Sequence, residues 1–99
     1  MIIHVVTLRL QPGTTPEQIA AISAALDRLP GAISQIRSYR HGADAGAGAS
    51  GVNSDYGIVA TFDDLDGWRA YDQDELHNEI RATLIKPVLA DRSSIQFEA

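Results

Sequence analysis

The feature that most limits the fold is the stretch Ile2–Leu10, in which nearly every side chain is aliphatic or β-branched. Pro12 and Gly13 follow it, so the stretch predicts a first β-strand. Successive side chains of a strand point to opposite faces of the sheet. One face carries Ile2, His4, Val6, Leu8 and Leu10, and the other carries Ile3, Val5 and Thr7. Both faces are mainly apolar, so helices on one side leave the other side in need of a cover.

The length of 99 residues and the 44% apolar content fit one globular domain over residues 1–99. A chain of this size buries only about two-thirds of its unfolded surface, so a leftover apolar face favours a homodimer. The sequence contains no cysteine, which excludes disulfides, thiolate metal sites and cysteine nucleophiles. We predict no metal site and no cofactor.

The charge distribution argues against a polyanionic partner. The net charge is −5, and the eight basic residues are scattered along the chain, so we expect no binding to nucleic acid. No apolar run reaches about 18 residues and no basic region precedes an apolar one at the start, so we expect neither a membrane span nor a signal peptide. The simplest expectation is a cytoplasmic protein that pairs with itself and takes a small apolar ligand.

Thr15, Pro16 and Gln18 predict the start of the first helix, because they match a capping box with a first-turn proline. Its apolar stripe at helical spacing consists of Ile19, Ile22, Leu26 and Leu29. Pro30 and Gly31 are expected to end it. Residues 33–42 then predict a second strand, although their periodicity is mixed.

Residues 43–53 contain mostly Gly and Ala with one bulky side chain, Val52, and predict a mobile loop. Residues 55–62 alternate as a third strand. Asp63 or Asp64 is expected to cap the next helix, and a further helix starts at Asp74. The apolar residues of these two helices are Leu65, Trp68, Tyr71, Leu76, Ile80 and Leu84. Pro87 interrupts the second of them, and residues 93–98 form a last strand.

The resulting order, β-α-β-β-α-β, matches the ferredoxin-like split unit of the α+β class, a four-stranded antiparallel sheet with both helices on one face. We expect the uncovered face of the sheet to carry His4, Val6, Leu8, Tyr56, Ile58, Ala60 and Phe62. That face is too apolar for water. Two such sheets packed face to face would make a dimeric α+β barrel with a shared apolar interior.

Four segments in this order resemble the stress-responsive A/B barrel domain (Dabb) family of dimeric α+β barrels. The segments are Ile2-Ile3-His4-Val5-Val6, Leu29-Pro30-Gly31-Ala32-Ile33, residues 55–63, and Tyr71 followed by His77. The resemblance covers essentially the whole chain. It implies a homodimer and, in some members, a polyketide cyclase that closes a linear poly-β-ketone by intramolecular aldol chemistry.

In that cyclase type, residues matching His77 and Tyr71 act on the substrate. The resemblance also implies that residues matching His4, Val6, Leu8, Ile58 and Ala60 line the pocket, and we add Ile19, Ile22 and Trp68 to this ligand-binding set. Members commonly carry His-Pro where this chain has Asp74-Glu75.

The chemistry of such a pair follows from the residue types. A histidine titrates near neutrality and can take the acidic proton between two carbonyls, while a phenol can donate a hydrogen bond to the oxyanion that forms. Each residue also has a structural interpretation: Tyr71 and His4 as core residues, and His77 as a buried histidine bonded to a carbonyl. His41, at a strand end, is expected to be a solvated surface residue.

Three functional hypotheses remain from the sequence. The first is a cyclase-like lyase that uses His77 and Tyr71. The second is a non-catalytic, ligand-binding or stress-associated dimer in which the same residues support the interior. The third and weakest is a haem-binding or monooxygenase-type barrel, suggested by the fold alone.

Overall fold

The computed structural model describes residues 1–49 and 51–99. Its strands are β1 Ile2–Leu10, β2 Ser38–Ala43, β3 Tyr56–Phe62 and β4 Leu89–Glu98. Its α-helices are α1 Pro16–Leu26, α2 Leu29–Ala32, α3 Leu65–Asp72 and α4 Glu75–Ile80, and a π-helical turn Arg81–Ile85 and a 3₁₀ turn Lys86–Val88 continue α4. The sheet order is β2-β3-β1-β4 with antiparallel neighbours throughout. The predicted ferredoxin-like α+β fold is confirmed.

The predicted helix starts are also confirmed, because each has a side chain that accepts a hydrogen bond from the first turn. Thr15 and Gln18 close the capping box in both directions, with bonds of 3.2 and 2.8 Å. Asp64 accepts from the Gly67 amide at 2.8 Å and so begins α3. Within the described residues, no helix combines the length and apolar character needed to cross a membrane.

Several boundaries differ from the predictions. The second strand begins at Ser38 rather than residue 33, and the last strand begins at Leu89 rather than residue 93. Pro30 and Gly31 lie inside the short helix α2, since a proline in the first turn loses no intrahelical hydrogen bond. In the segment predicted as a loop, residues 44–49 and 51–53 contain no helix or strand. Residue 50 lies outside the described residues, and the mobility of the loop stays a prediction.

The predicted assignment of the two sheet faces is wrong. The helix-covered face, not the open one, carries the buried set Ile2, His4, Val6, Leu8, Leu10, Tyr56, Ile58, Ala60 and Phe62. Buried helical residues, among them Ile22 and Leu26 of α1 and Ile80 of α4, belong to the same core. Strand alternation separates two sets of side chains but does not say which set the helices cover.

The open face of the sheet is also apolar. Ile3 of β1 lies opposite Phe97 of β4, and Val5 lies between Val59 of β3 and Ile95 of β4. Three of these side chains are exposed, with 41% of the surface of Val59, 57% of Ile95 and 43% of Phe97 accessible. Exposed large apolar side chains grouped on one face are typical of a contact surface. We call these five residues the open-face patch.

Candidate active site

A cavity of about 410 Å³ lies between the helix-covered face of the sheet and the segment that runs from the end of α3 to the start of β4. Its lining consists of His4, Val6, Leu8, Ile58, Tyr71, His77, Asn78, Arg81, Ala82, Ile85, Lys86, Leu89 and Arg92. The lining residues of β1 and β3, together with Tyr71, His77 and Ile85, are buried. Arg81 and Leu89 are half-buried, and Asn78, Ala82, Lys86 and Arg92 are exposed. The cavity thus has a largely apolar floor and a polar mouth.

The N-terminus of α4 positions His77 over this floor. Asp74 caps the helix, and its Oδ2 accepts a hydrogen bond from the His77 amide at 3.1 Å. His77 and Ile80 are the buried residues of α4, at the helical spacing of three. Asp74 belongs to the pair Asp74-Glu75 that stands where the resemblance leads us to expect His-Pro, and here it provides the cap.

The protonation state of His77 follows from its partner. Its Nδ1 lies 2.8 Å from the carbonyl oxygen of Tyr71. A carbonyl can only accept, so Nδ1 carries the proton and Nε2 has the lone pair in the neutral ring. Among the described residues Nε2 has no hydrogen-bond partner, and it is not one of the fully buried unpaired side-chain atoms, so it keeps accessible surface in a ring that lines the cavity. Burial lowers the pKa of His77 to about 4, and the ring is therefore neutral at pH 7.

Tyr71 packs directly on this histidine. The two ring centroids are 4.0 Å apart, and only 1% of the Tyr71 surface is accessible. Its hydroxyl shares a 2.8 Å hydrogen bond with the hydroxyl of Tyr39. Burial raises the pKa of both phenols, so both stay protonated at neutral pH. If Tyr39 donates in this bond, the Tyr71 hydroxyl keeps its own proton for a further hydrogen bond.

Sequence reasoning missed the role of Tyr39, because this role depends on strand register. Ala60 of β3 lies between His4 of β1 and Tyr39 of β2. The Tyr71 ring is 5.7 Å from the His4 ring and 5.8 Å from the Tyr39 ring. The small side chain of Ala60 leaves room for this aromatic group above the sheet. Ala60 itself is fully buried and does not line the cavity.

His4 is the second histidine of the cavity. Its Nδ1 lies 3.0 Å from Oε1 of Gln96, the residue opposite His4 on β4. Because an amide oxygen can only accept a hydrogen bond, Nδ1 carries the proton. Burial lowers the pKa of His4 as well. Both cavity histidines are therefore held by Nδ1, and in the described part of the chain neither Nε2 has a hydrogen-bond partner.

Three cationic side chains at the mouth, Arg81, Lys86 and Arg92, were not anticipated from the sequence. Arg81 donates to the Asp72 carboxylate at 3.1 Å and to the side-chain oxygen of Asn78. In the part of the chain that the structure describes, no group of three His, Asp or Glu residues is arranged to hold a metal ion.

The structure brings six of the ten predicted site residues to the cavity, namely His4, Val6, Leu8, Ile58, Tyr71 and His77. It places Ile19, Ile22, Ala60 and Trp68 outside the lining. Ile19 and Ile22 belong to α1, whereas the cavity lies beneath α4 and the turns that follow it. Trp68 packs 6.1 Å from the His4 ring, and its buried Nε1 has no partner among the described residues.

The expectation that His41 is a solvated surface residue is wrong. Its side chain is 8% exposed and joins two elements. Nε2 lies 2.7 Å from the Asp27 carboxylate, Nδ1 lies 2.7 Å from the Tyr56 hydroxyl, and that hydroxyl is 2.6 Å from Ser23 Oγ. This network ties the end of α1 to β2 and β3 and lies outside the cavity.

Comparison with known proteins gives three results. A sequence profile of the family described as "Stress responsive A/B Barrel Domain" matches residues 2–99. A dimeric ferredoxin-like protein of unknown function from Thermobifida fusca is 39% identical, with a TM-score of 0.89 over 99% of this chain and 90% of that chain. A search of curated proteins gave no match.

Two more distant structures show the fold alone. A dimeric protein of unknown function from Bacteroides fragilis is 20% identical, with a TM-score of 0.82 over 99% of this chain and 95% of that chain. A hydroxynitrile lyase from Passiflora edulis is 16% identical, also with a TM-score of 0.82, over 97% of this chain and 90% of that chain.

Proposed function

The chain belongs to the stress-responsive A/B barrel domain family, and we propose that it is a homodimeric enzyme that performs acid–base chemistry on a small apolar carbonyl compound. One observation carries this proposal: the His77 ring lines an otherwise largely apolar cavity and is held through Nδ1, which leaves Nε2 unprotonated and without a hydrogen-bond partner among the described residues. A general base needs an available lone pair within reach of the substrate. Burial keeps this lone pair free at neutral pH.

The reaction that suits this arrangement is a cyclase-like intramolecular aldol addition. Nε2 takes the proton from a carbon between two carbonyls, and the enolate carbon attacks a second carbonyl of the same molecule to form a carbon–carbon bond. The new alkoxide takes the proton back from the imidazolium. Tyr71 donates a hydrogen bond to the developing oxyanion while Tyr39 donates to Tyr71. No oxidant, reductant or cofactor is needed.

The low pKa of His77 is compatible with this role. Burial penalises an isolated imidazolium, but proton transfer from the substrate creates an imidazolium and an enolate side by side. Attraction between opposite charges is strong where water is excluded, so the pair is stabilised together. The cavity also holds the chain of the substrate so that its two reacting carbons meet.

The homodimer is proposed from the open-face patch. In a single chain these apolar side chains lie in water, and packing two patches face to face would remove them from it. The similar Thermobifida fusca and Bacteroides fragilis proteins are described as dimeric. Each subunit keeps its own cavity, because the cavity lies on the opposite face of the sheet.

A non-catalytic ligand-binding dimer is the second candidate. It is favoured by the Tyr39–Tyr71 bond, since a phenol that donates to Tyr39 has no proton left for an oxyanion.

The two candidates separate in one experiment with a linear β-polyketone of about a dozen non-hydrogen atoms. Loss of the probe and appearance of a cyclic product are followed by mass spectrometry for the native chain, His77→Asn and the matched control His41→Asn. An enzyme loses turnover in His77→Asn alone and still binds the probe in calorimetry. Saturable binding with no product in the native chain identifies the ligand-binding dimer, and absence of binding contradicts both candidates.

A further inference from the structure

The mouth of the cavity is cationic in a chain that is acidic overall. The sequence has 13 acidic and eight basic residues, and three of the basic ones line this cavity. No Asp or Glu is among the lining residues. Positive charge is thus concentrated beside an apolar floor, and Asp72, which is not among the lining residues, pairs with Arg81 at its edge. This juxtaposition favours a ligand with a negative head and an apolar body.

Two of the three cations have no carboxylate partner among residues 1–49 and 51–99. Arg81 is compensated by Asp72, and that salt bridge holds its guanidinium at the edge of the cavity. Lys86 and Arg92 form no salt bridge within the described residues, and Arg92 donates only to Ser94 Oγ, at 3.3 Å. They come from different elements, the 3₁₀ turn and β4, and both are exposed at the mouth. An anion there has two free donors.

The interior sets the size and polarity of the remaining ligand. Val6, Leu8 and Ile58 form the apolar floor. At about 30 Å³ for each water-sized group, a cavity of about 410 Å³ accepts roughly a dozen non-hydrogen atoms. His77 is 6% exposed and therefore lies deeper than the two cations. A carbonyl that reaches His77 must be separated from the anionic head by a few bonds.

We propose that the cavity binds an amphiphilic carboxylate, a keto acid with a short alkyl chain, whose carboxylate lies between Arg92 and Lys86 and whose chain covers the apolar floor. The inference rests on the proposed function in taking this cavity as the ligand site. Arginine binds carboxylates through two parallel hydrogen bonds, and lysine adds a mobile point charge. The head fixes the chain in one direction, so the same carbonyl meets His77 in every binding event.

The test uses octanoate as the probe and 1-octanol as its neutral counterpart, both measured by calorimetry at constant ionic strength. The variants are Arg92→Gln and Lys86→Gln, with Arg69→Gln as the matched control, because Arg69 pairs with Asp66 on the surface of α3. We expect each mouth variant to weaken octanoate about tenfold, with 1-octanol unchanged and Arg69→Gln like the native chain.

The outcomes separate the two proposals. If octanoate and 1-octanol bind equally well, or if the mouth variants weaken both alike, the carboxylate assignment is overturned while the cavity remains a binding site. If neither probe binds, the assignment is overturned and the cavity loses its proposed role as well. Binding of octanoate that Arg69→Gln weakens as much as Arg92→Gln does would indicate nonspecific attraction and also overturns the assignment.

Discussion

The buried His77 makes the stability of the protein depend on pH in a direction that can be calculated. Its pKa is about 4 in the folded chain and near 6.5 in the unfolded chain. Between these two pH values the unfolded state therefore binds more protons than the folded state. Stability is therefore fully present above about pH 6.5 and is lost as the pH falls towards about 4. A shift of this size corresponds to about 3 kcal/mol, of which about 2 kcal/mol is lost between pH 7 and about pH 4.5.

The contribution of His77 to the pH dependence of stability is isolated by comparison with His77→Asn. The asparagine amide can still donate to the Tyr71 carbonyl but does not titrate. Urea unfolding of both proteins at the same chain concentration gives the free energy of unfolding at each pH. The carboxylates and His4 titrate in both, so the difference between the two curves reports His77. We expect the free energy of unfolding of the native chain to fall by about 2 kcal/mol more than that of His77→Asn between pH 7 and about pH 4.5. A difference that stays constant would refute the assignment of a buried, neutral imidazole.

Three further predictions concern the rest of the molecule. Tyr39→Phe leaves the Tyr71 hydroxyl without its partner and is expected to cost about 1 kcal/mol in urea unfolding at neutral pH; an unchanged midpoint would show that the bond contributes nothing. Val59→Glu places a charge in the open-face patch and is expected to convert the dimer to a monomer in sedimentation experiments, whereas a persistent dimer would locate the interface elsewhere. Thr15→Ala removes the cap of α1 and is expected to cost about 1 kcal/mol, measured in the same way.

The order of elements could be predicted because it depends on local signals. Side chains such as Thr15, Asp64 and Asp74 cap a helix through amides three residues away, so they leave a local signal in the sequence. His77 and Tyr71 were found mainly through the resemblance to the family, and the structure brings them together because they lie on consecutive helices close in the chain.

The partners of these residues could not be predicted, because they come from distant strands. Tyr39 meets Tyr71, and Gln96 meets His4, only through the register of β2 on β3 and of β4 on β1. A shift of one residue in either pairing would turn the partner to the opposite face. The cationic mouth could not be predicted for the same reason, since Arg92 of β4 lines the same cavity as Lys86 only when the sheet has formed.

The central strand β1 explains why one short chain can hold both a pocket and the proposed dimer contact. Its even-numbered residues His4 and Val6 line the cavity, while its odd-numbered residues Ile3 and Val5 belong to the open-face patch. The two surfaces share one backbone but no side chains, so each can change without altering the chemistry of the other. The patch needs a second copy to leave water, whereas the cavity is lined entirely by described residues of a single chain. In the proposed dimer, pairing of the two patches would therefore stabilise the sheet that carries the site without completing the site itself.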